Sequence, residues 1–384
     1  MTTTTISNPL CAALLVGGAF AASAAQAWTI TDLGTLPGPY EQSVAYAISD
    51  SGLISGGSAS AGGGFHAVRW SAPGTPVDLG LLPGGNPYSY GYSINSAGQI
   101  AGAALAPGGL LYAARAVLWQ ADGSLLALPD LPGGGQESAA YDINEAGQIV
   151  GYASAGTGYR AFLWSAASGM QNLGDLPGGS NLSVANSLND HGQVVGYSNA
   201  FTGDRAFLWS AATGMQNLGD LAGGANYSQA LAINNAGQVV GSSGVAGGGH
   251  AFLWSSATGM VDLGDLAGGL EASTALAIND LGSIVGTGSV DGNVQHAVLW
   301  ENGGILDLSL LPEVAAAGWS YLEQATGINT RGQIVGFGVI DDSTHAFLLT
   351  PSAPASSTPN AVPLPSSIAL FGAGLGLFGL RRRR

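Results

Sequence analysis

Apolar and polar positions along this chain follow a short pattern that recurs seven times. Between residues 28 and 350, brief apolar runs alternate with turns rich in Gly, Asn and Ser, and none is long enough for a stable helix. Four kinds of run are distinguishable. The first is Ser-x-Ala-x-x-Ile-Asn, as at Ser138 to Asn144 and Ser273 to Asn279. The second is Gly-Gln-(Ile/Val)-Val-Gly, at Gly147 to Gly151, Gly192 to Gly196, Gly237 to Gly241 and Gly332 to Gly336, with variants at Gly52, Gly98 and Gly282. The third is His/Arg-Ala-Phe-Leu-Trp, found as His66 to Trp70, Arg115 to Trp119, Arg160 to Trp164, Arg205 to Trp209, His250 to Trp254, His296 to Trp300 and His345 to Leu349. The fourth is a short Asp/Asn-Leu-Gly stretch. Segments such as Ala206 to Trp209 are apolar on both faces, as a strand in a sheet covered on both sides requires.

Turn chemistry joins these runs into hairpins. Asn144 to Gly147, Asn189 to Gly192 and Asn279 to Gly282 place Asn first and Gly fourth, which supplies an Asx hydrogen bond and a backbone free to adopt positive φ. Ser210 to Gly214 does the same between the third and fourth runs. The unit is therefore four antiparallel strands, repeated every 45 to 49 residues from Trp70 to Trp119, Trp164, Trp209, Trp254, Trp300 and Leu349. That period and strand count predict a propeller blade; a parallel β-solenoid is the alternative, but its coils are shorter and need no paired tight turns. Trp28 to Gly34 is a fourth strand without a third, and His345 to Thr350 a third without a fourth. Together they predict an all-β, seven-bladed propeller whose last blade combines Ala325 to Thr350 with the N-terminal strand, closing the ring and removing its edges. The Ser-x-Ala strand is expected innermost and the Asp-Leu-Gly strand outermost.

This wiring puts the variable connections on one face. The loops entering the third strand, with an insertion at Ala103 to Ala114, share it with the loops following Leu-Pro-Gly-Gly, which carry an insertion at Glu313 to Gln324. Loops of this kind on a rigid scaffold are where binding residues concentrate. Off-register aromatics fall in or beside them, namely Tyr88, Tyr90, Tyr92, Tyr112, Tyr227, Trp319 and Tyr321, and are the candidate carbohydrate contacts. The Trp that recurs once per blade reads instead as packing between blades.

Composition narrows the function classes. Charged residues are 9% of the chain, lysine is absent, and the formal charge is −15, so the surface repels nucleic acid and anionic lipid. The single cysteine, Cys11, lies in a leader-like segment, which removes disulfides and thiolate chemistry from the body. His66, His250, His296 and His345 stand a blade apart and exchange with Arg, which favours a structural role over a shared metal ion. Repeated acids at Asp32, Asp78, Asp175, Asp220, Asp262, Asp265 and Asp307 suit turn and strand-end hydrogen bonding, with calcium between blades or a glycosidase pair as the other readings. No EF-hand loop, nucleophile elbow, zincin helix or phosphate loop occurs.

The chain ends read as targeting segments. Residues 1–27 carry an apolar run from Leu10 to Ala22 and a small-x-small site at Ala25-Gln26-Ala27, the pattern of a secretory signal peptide handled by the Sec machinery, although no Lys or Arg precedes the run. After the propeller (28–350) and a Pro/Ser linker (351–361) comes a tail, 362–384. It contains Val362-Pro363-Leu364-Pro365, a 13-residue apolar stretch from Ile368 to Leu380, and Arg381, Arg382, Arg383 and Arg384. The stretch is short for a comfortable transmembrane helix, so it suits transient inner-membrane anchoring. This tail resembles the PEP-CTERM sorting signal, with Leu364 departing from the Pro-Glu-Pro form. The resemblance implies processing by an exosortase in a Gram-negative bacterium and delivery to the outer surface or beyond, often alongside exopolysaccharide. The body resembles the HAF family of extracellular repeats, whose His-Ala-Phe triplet stands here at His250 and His345. That resemblance implies an extracellular location and supplies no site residues. The expected function is a non-catalytic surface or matrix protein that binds polysaccharide or a surface protein through the variable-loop face. A secreted propeller hydrolase or lyase acting on glycans is the alternative.

Overall fold

The computed structural model describes residues 26–352, apart from 72, 75, 107–113, 136, 157, 201–202, 225 and 292–293. It contains seven four-stranded antiparallel sheets in the blade arrangement of a β-propeller. Blade 4 shows the unit: Ser183–Leu188, Val194–Ala200, Gly203–Ser210 and Gly214–Asn217, ordered from the axis outward. The ring closes in blade 7, where Trp28–Asp32 becomes the outer strand beside Ser343–Pro351, in register from Trp28 opposite Pro351 to Asp32 opposite Phe347. Five backbone pairs thereby join the two ends of the propeller, as the incomplete repeats predict.

Each turn from the first to the second strand has its Gly at positive φ, from 72° at Gly192 to 88° at Gly52. Its Asn also links blades. Asn144 Nδ2 donates to Asn189 O (3.1 Å), Asn189 to Asn234 O (3.1 Å), Asn234 to Asn279 O (3.1 Å) and Asn279 to Asn329 O (3.0 Å). The same bond runs from Asn95 to Asn144 O and from Asn329 to Ser49 O.

Adjacent blades are held by two further devices. At the junction of blades 3 and 4, Val150 and Ala161 pack against Ala185, Phe207 and Trp209; the Ala-Phe-Leu-Trp strand thus gives Phe and Trp to one neighbour and Ala to the other. The second device is the first-strand Ser. Ser228 Oγ accepts from Ala206 N (3.0 Å) and donates to Gly219 O (2.6 Å), and Ser43, Ser89, Ser138, Ser183 and Ser273 accept equivalently from the preceding blade.

Two features depart from expectation. Every first strand carries a register shift at one place, as between Ala185 and Ser187, so a β-bulge recurs seven times. The bulge drives the preceding carbonyl against the second strand. A Cβ added at Gly196 would stand 1.9 Å from Val184 O, which explains the Gly repeated at that position. The insertion at Glu313 to Gln324 is not simply a loop: Pro312–Ala316 is a short helix, and blade 7's first strand runs Trp319–Ile328 with two additional register shifts.

Candidate functional site

The most conspicuous repeated side chain is a clasp between the third and fourth strands. His66, His296 and His345 each set Nδ1 2.8 Å from Asp78, Asp307 and Asp32 respectively, and His250 lies 2.9 Å from Asp262. In the Arg-bearing repeats that acid position holds Ala127, Asn172 or Asn217. The carboxylate comes from three residues later instead, pairing Arg115 with Asp130 (3.2 Å), Arg160 with Asp175 (3.7 Å) and Arg205 with Asp220 (4.0 Å). Side-chain reach accounts for the shift: the short imidazole meets the near acid and the long guanidinium the far one. These pairs are framework.

Blade 5 has acids at both places, Asp262 and Asp265, and adds Glu271, whose Oε2 lies 3.0 Å from His250 Nε2. Both ring nitrogens therefore face carboxylate oxygens, an arrangement that an imidazolium satisfies with its two N–H donors. Burial pulls the His250 pKa down, but the hydrogen bond and charge of Asp262, with Glu271, outweigh it and the net shift is upward.

The axis is less uniform. At the bulge the seven first strands present Tyr46, Tyr92, Tyr141, Asn186, Leu231, Leu276 and Thr326 to the central cavity. Three tyrosines thus lie side by side in blades 1 to 3, with Tyr46–Tyr92 and Tyr92–Tyr141 ring centroids 5.4 and 5.5 Å apart. Burial, then neighbouring Tyr90, pushes Tyr46 up to about 12, and burial raises Tyr92 and Tyr141 as well, so all three are neutral phenols.

From this layer a cavity of about 320 Å³ extends to the Asn-x-x-Gly turns. Its wall contains Asp142. Oδ1 of Asp142 accepts from Ser93 Oγ (2.6 Å) and Ile143 N (2.9 Å), and Oδ2 from Ser187 Oγ (2.8 Å) and Leu188 N (3.0 Å). Burial raises its pKa against the pull of those four bonds. With every lone-pair direction occupied, Asp142 pins blades 2, 3 and 4 together; at the same level blades 5, 6 and 7 carry Ala232, Ala277 and Gly327, so no second carboxylate faces it.

On the opposite face, the hairpins between second and third strands lie beside the loops that enter the next blade, bridged at Phe65–Tyr88, Tyr159–Leu182 and Gly249–Ala272. An aromatic band crosses this end of the molecule. Phe65 packs on Tyr90 (5.8 Å), Tyr90 stacks on Tyr92 (5.9 Å), and the band passes through Tyr141 to Tyr152 (5.7 Å) and Tyr159 (5.4 Å), whose hydroxyl donates to Glu137 (2.8 Å). Of the sequence candidates, Tyr90 and Tyr92 belong to the band and Tyr88 is bridged to its end at Phe65. Tyr227 is exposed in blade 5, near Tyr197. Tyr321 lies apart, stacked on His296 (5.9 Å). Trp319 is only 5% exposed and packs edge-on against Phe347, which places it in the core. Tyr112 lies outside the described residues, as do Ala25, Val362 to Pro365 and Arg381 to Arg384; Ala27 is described, and its carbonyl accepts from Ser352 N (2.8 Å). Among the described residues no helix is long and apolar enough to cross a membrane.

Tyr46, Tyr141, Tyr152 and Asp142 are absent from the sequence candidates. The signal for the tyrosines was positional: Tyr46, Tyr92 and Tyr141 each stand three residues after the first-strand Ser, where other repeats have Asn, Leu or Thr.

Fold and site together define a seven-bladed β-propeller with different chemistry at its two axial ends. Solved structures agree on the fold. The β-propeller domain of the Trilobed protease from Pyrococcus furiosus matches with a TM-score of 0.51 at 9% identity, over 85% of this chain and 98% of that one. An oligogalacturonate lyase in complex with manganese gives 0.50 at 12%, over 85% and 98%. A Mycobacterium tuberculosis puromycin-hydrolyzing peptidase gives 0.51 at 11%, over 87% of this chain but about half, 54%, of its own. No protein-family model matches the sequence, and no curated protein does.

Proposed function

We propose that this is an exported, non-catalytic binding protein of the cell surface or extracellular matrix, which takes polysaccharide along the aromatic band of its variable-loop face. The observation that carries the reading is the continuous run from Phe65 through Tyr90, Tyr92, Tyr141 and Tyr152 to Tyr159. The outer rings, Phe65, Tyr90, Tyr152 and Tyr159, are part-exposed and can offer apolar faces to the C–H side of pyranoses, and the tyrosine hydroxyls among them offer polar edges. Export rests on the signal-like residues 1–27 and the PEP-CTERM-like tail, with Sec and exosortase as transient partners.

A glycan array probed with residues 28–352, with and without calcium, tests the binding. Polysaccharide is expected to bind, and Tyr152→Ala to weaken it at least ~10-fold while leaving the melting temperature nearly unchanged, as loss of one stacked ring predicts. Absence of binding in both conditions would sink the glycan reading and leave a surface protein as the partner. For export, deleting residues 362–384 should alter surface delivery in cell fractionation.

The rival reading, a glycan-cleaving enzyme, draws on one observation: Asp142 is a half-buried axial carboxyl with a raised pKa. Its four hydrogen bonds and lack of a facing carboxylate favour the structural role. Turnover of any array-positive glycan that is lost in Asp142→Asn would reverse this preference.

A further inference from the structure

The cavity at the turn face shares Tyr92 and Tyr141 with the aromatic band but opens at the other axial end, so amine binding there does not depend on glycan binding along the band. Three of its properties point to a ligand class. First, Tyr46, Tyr92 and Tyr141 form one end, and among the described residues none of their phenolic hydroxyls has a protein hydrogen-bond partner. The rings are half-buried and their hydroxyl oxygens stay within reach of solvent, so their hydrogen-bonding capacity is open to a guest that displaces water.

Second, the wall contains no Arg, Lys or His, while Asp50, Glu145, Asp190 and Asp280 line the rim. Backbone donors hold these carboxylates in place: Ser96 N on Glu145 (3.0 Å), Glu145 N on Asp190 (3.0 Å), Asn235 N on Asp280 (2.8 Å) and Thr330 N on Asp50 (2.8 Å). Arg69 and Arg331 reach the neighbouring turns at Gly98 and Gly52, but neither belongs to the wall. A low-dielectric funnel rimmed by one sign of charge concentrates the opposite sign.

Third, the carboxylates do not form a metal cage. The rim acids come from separate blades and are tied to neighbouring turns, and Asp142 has no acceptor position left. What remains for a guest is a negative field and three phenols that accept hydrogen bonds and present aromatic surface to a cation.

We propose that this axial cavity binds a small organic molecule through a primary ammonium group. The ammonium donates to the tyrosine hydroxyls, and the rim acids draw it in. At about 320 Å³ the cavity suits a guest the size of an amino sugar or a short diamine, which share that chemistry.

Calorimetric titration of residues 28–352 with glucosamine, putrescine, N-acetylglucosamine and calcium tests this. Glucosamine or putrescine should bind, the stronger of the two identifying the source, and affinity should fall as salt is raised. N-acetylglucosamine, which has lost the charge, should bind at least ~10-fold more weakly than glucosamine. Tyr92→Phe combined with Tyr141→Phe keeps the rings, removes two hydroxyls and should weaken the amine ~10-fold or more. Glu145→Gln, which retains an oxygen for Ser96 N, should weaken it less and reduce its salt dependence. Equal binding of glucosamine and N-acetylglucosamine, no binding of either amine, unchanged affinity in the double Phe variant, or calcium displacing the amine stoichiometrically would each overturn the proposal.

Discussion

The residues between the blades and those along the axis obey opposite rules. Between blades, Gly196 has a counterpart in all seven repeats, Ser228 in six, and the Phe207 position is always a buried Phe or Val, because each junction solves the same packing problem. Along the axis the corresponding positions hold Tyr in blades 1 to 3, Asn in blade 4, Leu in blades 5 and 6 and Thr in blade 7. Sameness therefore marks the scaffold in this molecule, and departure from the repeat marks the positions that the scaffold leaves free to vary. A repeat protein offers that contrast within a single chain.

The sharpest way to break the comparison is at the scaffold glycine. Gly196→Ala puts a Cβ 1.9 Å from a backbone oxygen that a bulge holds in place, and is expected to abolish soluble folded protein on expression. Phe207→Ala should fold but lose about 3–5 kcal/mol in denaturant unfolding, since the ring is fully buried at a blade junction. Ser228→Ala leaves the buried Ala206 N–H without its acceptor and should cost about 1–3 kcal/mol in the same assay. If these three cost no more than Tyr152→Ala, the division into scaffold and site fails.

Titration sharpens the comparison with smaller effects. Asp142 is an acid whose folded pKa is raised, so folding takes up a proton, and its contribution to stability declines as pH rises through the folded value. The Asp142→Asn protein should show a flatter stability profile over that range. His250 has the opposite chemistry: its folded pKa is also raised, but here the protonated form is the paired one. Its stabilisation is full below the ordinary histidine value of about 6.5 and is lost as pH rises through the folded value. His250→Arg, which can clasp Asp265 as Arg205 clasps Asp220, should remove that step from thermal melts recorded upward from the ordinary histidine value.

Much of the fold was legible because repetition multiplies weak signals. One Asn-x-x-Gly turn is a common turn; several at a period near 45 residues imply a blade, and the orphaned strands at Trp28 and His345 imply how the ring closes. The site was less legible. Tyr92 and Tyr141 are 49 residues apart and become neighbours only once the blades stand around an axis. The bulge that turns Tyr46 and its counterparts toward the cavity leaves only a glycine on the partner strand as its trace. Trp319 misled because it lies in an insertion, yet that insertion extends a strand and buries the ring. The pairing of His with the near acid and Arg with the far one was written in the repeats, but recognising it required knowing that the third and fourth strands lie side by side.

The asparagine relay passes from blade 2 around to blade 1 and ends at Ser49, whose hydroxyl turns back to Ser51 (2.9 Å) and Leu53 (3.3 Å) of its own blade. The unbroken part includes the step from Asn329 to Ser49, beside the blade where the two chain ends meet. The asparagine step is missing only between blades 1 and 2, where the polypeptide itself runs across and Ser51 Oγ donates to Ser96 O (3.3 Å) in its place. Covalent continuity and the asparagine relay are thus staggered around the circle. A circular permutant with its new termini between blades 1 and 2 would leave the turn face of that junction to an exposed serine bond, and that junction is where such a ring would first part under load.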